Sequence, residues 1–503
     1  MYLPPTAQLL VAGGDARIAL DPVSGLNKYG CRPLPDPQLL AFGSSTGSVI
    51  SLPGFAAADR LRDKLVREAG AVPHEVVYAR EIGRVRAELL RLCELHDVPG
   101  LEVVFASSGT ELHLIAGQYA GSGAALPALA VMVEADETGS GVVDALAGRQ
   151  FNASSAENAA SAQGSGSGAP EVISVPVRLA DGTPRQLADI DAAVEALVIG
   201  AVAQGRRVLL ILADQSKTGL IAPSPDCVAA LHRRQPDRVD VLVDACQFRI
   251  APPTLRAYLE QGFMVALTGS KFVTGPSFSA ALLLPAAVAQ RLRERPFPRA
   301  LASCSCSANW PSDWEVAGQL AQAANFGLLL RWEVALEELR RFRSVPQAAI
   351  ADFLQGFAQA IRSRLAGDSS FEPLPVPPLN RGSVTADGWD RIQTIFPFLL
   401  YRPAGEAGRV PLCREETAWV YRQLQAANPV SGAHSGGDVV RCQFGQPVAC
   451  GIRDGVAVSA LRICASARLV SEAFEGGKGV AGVIRDASLA LDKATLLIRS
   501  ARA

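Results

Sequence analysis

Charge is scarce in this chain. Asp, Glu, Lys and Arg make up 19% of its 503 residues and nearly cancel, leaving a formal net charge of −1. That balance excludes a basic protein that coats nucleic acid, and the 49% hydrophobic content excludes a disordered chain. Histidine is scarcer still: five residues, scattered, which argues against a His-rich metal centre. The ten cysteines include no CxxC pair, and Cys304 and Cys306 have no further Cys or His at metal-ligand spacing. This usage fits a reducing compartment better than a disulfide framework. No GxGxxG follows an apolar strand pattern into a helix, which disfavours a dinucleotide-binding enzyme. The longest apolar stretch, Ala280 to Ala289, is too short to cross a bilayer and carries Pro285. The first twenty residues lack the basic-then-apolar order of a secretory leader. The expectation is a soluble, cytoplasmic protein with neither membrane nor nucleic acid as partner.

What is present is an alternation of apolar runs and helical periodicity. Residues 1–50 are rich in Gly and Pro and read as an N-terminal arm. Residues 56–97 carry apolar positions every three to four residues and read as helices. From 101 to 285, seven short apolar runs end in small polar residues: 101–106, 128–135, 171–177, 207–213, 239–245, 263–269 and 279–285. Runs of this kind are strands buried on both faces, so the expected class is α/β with a mostly parallel central sheet. The expected units are the arm, a large domain over 51–300 and a smaller α+β domain over 301–503. The latter has helical stretches at 315–366 and 414–427 and alternating segments near 392–400, 439–444 and 457–466. An Ala/Ser/Gly segment at 152–170 has no hydrophobic anchors and reads as a mobile insertion.

In such sheets ligands bind beyond the carboxyl ends of the strands. Three of those ends carry chemistry. VDVLVDACQ delivers Asp244 and Gln247, VALTGSKF delivers Thr268, Ser270 and Lys271, and FASSGTELH delivers Ser107, Ser108, Gly109 and Thr110 at a helix start. A lysine at the end of an apolar strand is desolvated, which favours the neutral amine that forms a Schiff base. An Asp one strand away can keep a pyridine nitrogen protonated and turn the ring into an electron sink. A Gly-Thr turn opening a helix presents free N–H groups to a phosphate. Taken singly, each of these is an ordinary helix cap, surface pair or turn. Together they are what pyridoxal phosphate requires.

The ordered set resembles the fold-type I pyridoxal-phosphate enzymes of the class V aminotransferase and cysteine desulfurase group, from roughly 40 to 470. The resemblance implies a fold-type I architecture, pyridoxal 5'-phosphate as cofactor and a homodimer acting on a small-molecule amino-acid substrate. DACQ implies Asp244 on the pyridine nitrogen and Gln247 near the ring hydroxyl. TGSK implies Lys271 as the Schiff-base lysine, with Thr268 and Ser270 on the phosphate. SSGTE implies Ser108, Gly109 and Thr110 as the phosphate turn. DQSKTGLIAPS, at 214–224, resembles the stretch that lies over the cofactor, with Gln215 or Ser216 where the group has an Asn. ALRICASARLV, at 460–470, resembles the strand whose Arg grips the substrate α-carboxylate, which implies Arg462. A structural salt bridge is the alternative use of that Arg. The usual ring-stacking His or aromatic is missing from VEADETGSG, at 133–141, leaving Glu137 or Thr138 to face the ring. In the arm, Lys28 or Arg32 could touch substrate, although plain packing is the better expectation.

Aligning Gln446-Pro447 with the desulfurase nucleophile segment puts Phe444, not a cysteine, at the nucleophile position, with Cys442 and Cys450 to either side. Aminotransfer, which needs only lysine, electron sink and carboxylate grip, is the first expectation. A β- or γ-elimination of the C–S lyase kind, or a non-catalytic member of the fold, are the alternatives.

Overall fold

The computed structural model describes residues 3–68, 72–123, 126–149, 169–384, 388–404, 408–426 and 440–500. Nearly all of the 152–170 segment lies outside them. After a short helix (Thr6–Leu10) and strand β1 (Leu39–Ala41), two helices, Leu52–Glu68 and His74–Leu92, lead into the main sheet. Its strands are β2 (Glu102–Ala106), β3 (Leu129–Val133), β4 (Glu171–Val175), β5 (Val208–Asp214), β6 (Ile221–Ala222), β7 (Val239–Ala245), β8 (Met264–Thr268) and β9 (Ala280–Leu284). The order is β2-β9-β8-β7-β5-β3-β4, with β6 added to β5. Pairings among β4, β3, β5, β7 and β8 are parallel, while β9 runs antiparallel to β2 and β8. All seven apolar runs are strands of this sheet.

The period-2 geometry of a strand divides each run between two cores. Val103, Phe105, Leu210 and Leu212 join the larger one, with the helices Leu52–Glu68, His74–Leu92 and Phe326–Ser344. Val104, Ala106, Leu209 and Ile211 join the other, with the helix Gly109–Gly121. Coverage on both faces explains why these runs are apolar throughout rather than alternating.

The second sheet contains β10 (Phe371–Pro373), β11 (Ile395–Pro403), β14 (Gly445–Arg453) and β15 (Val456–Cys464) in the order β10-β11-β15-β14, all antiparallel, with β12 (Arg409–Pro411) on β11. The stretch 315–366 is not one helix. It divides into Glu315–Gln319, Phe326–Ser344 and Gln347–Ala366, the last opening behind Pro346. The arm is tied down at two places. β1 pairs in parallel with β13 (Arg441–Gln443). The fully buried Arg331 donates to the carbonyls of Leu10 (3.2 Å), Gly13 (3.0 Å) and, within the main sheet's loops, Phe278 (2.7 Å). Among the described residues, no helix is long and apolar enough to cross a membrane. None of their His, Cys, Asp and Glu side chains group in a way that could hold a metal ion.

Candidate active site

A cavity of about 340 Å³ opens beyond the carboxyl ends of β2, β7 and β8, and β15 reaches it from the second sheet. It brings together Ser108, Gly109, Thr110, Asp244, Thr268, Ser270, Lys271 and Arg462 from four separate stretches of chain.

The helix Gly109–Gly121 forms one wall. Ser108 caps it, its Oγ accepting the Glu111 N–H at 3.3 Å. A Cβ on Gly109 would lie 2.8 Å from Cys246 Sγ, so only glycine lets the helix start sit this close to the end of β7. Thr268 Oγ1 donates to the Cys246 carbonyl at 2.6 Å, and Ser270 Oγ lies 3.5 Å from Thr268 Oγ1. Arg17, from the arm, donates to Thr110 Oγ1 (3.0 Å) and Ser108 Oγ (3.3 Å), held on its other side by Asp15. Sequence reasoning missed Arg17. It lies more than ninety residues from its contacts, in a Gly-rich arm with no pattern to flag it.

Asp244 stands at the end of β7. Burial pushes its carboxyl up, but His113, Lys271 and the Cys246 N–H outweigh burial and hold it below the usual carboxylate range. His113 Nε2 is 3.5 Å from Asp244 Oδ2. His113 Nδ1 is 2.7 Å from the Gly109 carbonyl, which can only accept, so Nδ1 carries a proton and Nε2 is the nitrogen that faces the Asp. Nε2 is buried without a hydrogen-bond partner. A local signal for His113 was present, because it lies one helical turn beyond Gly109 on the same face.

Lys271 follows β8 in a tightly folded loop. Gly269 N–H donates to the Ser279 carbonyl (2.8 Å), Gly275 N–H to the Gly269 carbonyl (2.8 Å), and Phe272 N–H to the Gln247 carbonyl (3.2 Å). A Cβ on Gly275 would stand 2.8 Å from the Gly269 carbonyl oxygen, so the turn closes only around glycine.

Arg462 is 1% exposed in β15. Nη2 donates to Thr46 Oγ1 at 2.8 Å, while Nε and Nη1 are buried without partners. Gly445 opposite leaves the room it needs, since a Cβ there would lie 2.6 Å from Arg462 Nε. No carboxylate of the described residues pairs with Arg462, so a structural salt bridge does not account for it. Burial pulls its pKa down.

Glu137, Gln215 and Gln247 do not line the cavity. Glu137 accepts from Arg178 Nε (2.6 Å), Ser216 Oγ (2.6 Å) and Thr218 Oγ1 (2.7 Å). Burial raises its carboxyl, but these donors hold it below its ordinary range. Gln215 Nε2 donates to the Arg249 carbonyl (3.1 Å). Gln247 Nε2 donates to the Ser45 carbonyl (3.1 Å), and its Oε1 accepts from Arg249 (3.4 Å). Nor does Thr138 line it. Lys28 of the arm lines the cavity, whereas Arg32 borders a separate small one. All ten cysteines are free. Cys246 is the one that lines the cavity, and burial pushes its thiol well up, away from the reactive thiolate. Phe444 is fully buried against Phe398.

No family model and no curated protein matches the chain. Solved structures do. Mouse CSAD superposes with a TM-score of 0.53 at 15% identity, over 93% of this chain and 85% of that one. A structure titled NifS-like protein gives 0.51 at 14%, over 90% and 99%. The glutamate decarboxylase domain of diaminobutyrate-pyruvate transaminase and L-2,4-diaminobutyrate decarboxylase from Vibrio parahaemolyticus gives 0.51 at 14%, over 92% and 81%. The fold is that of the fold-type I pyridoxal-phosphate enzymes. Within fold type I these similarities span more than one chemistry. The reaction therefore has to be argued from the cavity itself.

Proposed function

We propose that the protein is a pyridoxal-phosphate-dependent enzyme acting on an amino acid, and that the reaction is aminotransfer. The observation that carries this reading is the unpartnered guanidinium of Arg462 in one cavity with Lys271 and Asp244. Burying an Arg with two idle donors costs stability unless a ligand satisfies them.

The residues present fit the cofactor. The helix start at Ser108–Thr110, with Thr268, Ser270 and Arg17, would hold its phosphate. Asp244, kept ionised, would hold a proton on the pyridine nitrogen, and Lys271 would carry the group covalently. When bound, pyridoxal phosphate supplies the electron sink that stabilises charge at the substrate α-carbon. The chain supplies the rest. Arg462 presents a planar fork that donates two parallel hydrogen bonds to the substrate carboxylate and so fixes which α-carbon bond faces the ring. Lys271, released by substrate, moves the proton to and from that carbon. The high-lying Cys246 thiol and the phenylalanine at 444 leave no cysteine placed to accept sulfur, which favours aminotransfer over desulfuration. We further read the chain as a cytoplasmic homodimer. Its ten free thiols support the compartment.

The test is a product assay on the holoenzyme with single amino acids and a 2-oxo acid acceptor. Aminotransfer forms a new 2-oxo acid and a new amino acid in equal amounts. Release of ammonia with a 2-oxo acid, independent of acceptor, would replace the reading with elimination. A holoenzyme that turns over no amino acid would replace it with a non-catalytic role. Light scattering at assay concentration checks the dimer, and a fully active monomer would contradict it.

A further inference from the structure

Lys217 also lines the cavity with Lys271 and Arg462, and nothing described so far uses it. It sits in the loop between β5 and β6, and its position there is fixed by its neighbours. Ser216 Oγ and Thr218 Oγ1 both donate to Glu137, and the Lys217 N–H donates to the Glu137 carbonyl at 2.8 Å. The flanking side chains are thereby committed to Glu137, while Lys217 borders the cavity. The Glu137 carboxylate pairs with Arg178 at 2.6 Å and acts on Lys217 only through its nearby charge, without an ion-pair contact. Among the described residues, the Lys217 ammonium makes no ion pair and no hydrogen bond.

Apart from Lys28 of the arm, which has an interaction of its own, the cavity's other charges have a partner or a proposed role, Lys271 as the cofactor lysine. Arg17 is neutralised by Asp15. Asp244, the one acid of the lining among the described residues, faces His113. In the reading above, Arg462 takes the substrate α-carboxylate and the helix start takes the phosphate. Lys217 is left without an anion. Ser45 and Ser277 add two further buried hydroxyls that line the cavity without a hydrogen-bond partner.

We infer that the substrate is an amino acid with a second anionic group on its side chain, and that Lys217 binds that group. This rests on the proposed function and narrows it to a substrate class whose members carry a side-chain carboxylate, sulfonate or phosphate. Desolvation, with Arg462 and Lys271 nearby, outweighs the charges of Glu137 and Asp136 and brings the Lys217 amine down to about 8, a cation that a bound anion would restore. The idle serine hydroxyls suit an oxyanion, which accepts more hydrogen bonds than one ammonium donates.

The experiment is a spectral titration of the cofactor-loaded protein with matched pairs: glutamate and glutamine, aspartate and asparagine, phosphoserine and serine, cysteate and serine. The acidic member of at least one pair should bind about tenfold more tightly than its neutral partner or better. The pair showing the largest ratio identifies carboxylate, phosphate or sulfonate as the anion. Lys217→Gln should bring that ratio to within about threefold while the cofactor band stays in place and the melting temperature does not fall, and Lys217→Arg should largely keep it. A wild type that binds neutral and acidic members equally, or a Lys217→Gln protein that keeps the wild-type ratio, overturns the inference and leaves the proposed function standing. A wild type whose cofactor spectrum answers to no amino acid overturns the proposed function, and this inference with it.

Discussion

Two arginines of this protein are buried almost equally, at 2% and 1% exposure, and are treated in opposite ways. Arg381 pairs with Asp214 at the end of β5. Its Nε and Nη2 bind both carboxylate oxygens at 2.7 Å, Tyr258 donates to the same Asp at 2.9 Å, and Nη1 reaches the Asp390 carbonyl at 2.8 Å. Burial lowers the Arg381 pKa, but the Asp214 charge more than reverses this, and the net shift is upward. Arg462 keeps two donors idle, and its pKa is driven down. Asp214 and Lys217 repeat the contrast three residues apart on one chain segment, the first saturated and the second unpaired. A saturated buried charge holds parts of the chain together. An unsaturated one marks where something else is to bind.

The comparison breaks most sharply at Lys271, where chemistry rather than binding is at stake. Lys271→Ala should lower turnover by about a thousandfold or more, with the melting temperature barely changed. Turnover within a few-fold of wild type would remove the lysine from the mechanism. Next comes the structural side. Arg381→Met leaves Asp214 buried with Tyr258 alone and should cost about 3–5 kcal/mol in chemical denaturation, with activity per folded molecule retained. A stable but inactive variant would move Arg381 from scaffold to site.

Arg462→Lys keeps the charge and loses the fork. It should lower kcat/KM for the amino acid by about a hundredfold, or about 2.7 kcal/mol, at nearly constant stability. Loss of stability with catalytic efficiency preserved would make Arg462 structural after all. The smallest effect has the opposite sign. Lys217 titrates at about 8 in the fold against an ordinary 10.5, so between those values the unfolded chain binds more protons and stability rises with pH. Below about pH 8 the penalty is fully present. Lys217→Met should therefore stabilise the protein at neutral pH by about 1–3 kcal/mol and abolish the gain between pH 8 and 10. An unchanged or lowered stability would show that Lys217 already has a partner.

How far the sequence carries depends on the range of the interaction involved. The seven strands were legible because strands covered on both faces are apolar at every position. β14 was not, because GQPVACGIR carries two glycines and a proline and departs from simple alternation. Lys271, Asp244 and the Ser108–Thr110 turn were legible as cavity residues because each sits beside its own strand end. Arg17 was not, since only the folded arm brings it to Thr110. Arg462 was legible as a residue, but its idle donors could be counted only in the structure. Glu137, Gln215 and Gln247 came from motif position. Arg178 and the backbone carbonyls of Arg249 and Ser45 engage them outside the cavity, and nothing local in the sequence announces those partners. His113 was one turn of helix away from being found.

The central claim is that Lys271 carries the cofactor, and the cavity supplies its own competitor. Lys217 lines the same cavity, and its amine, brought down to about 8, is a second candidate for the Schiff base. Borohydride reduction of the protein loaded with pyridoxal phosphate, followed by peptide mapping, separates the two. The account predicts a single stable adduct on the peptide containing Lys271 and none on Lys217. An adduct on Lys217 with Lys271 unmodified would contradict it.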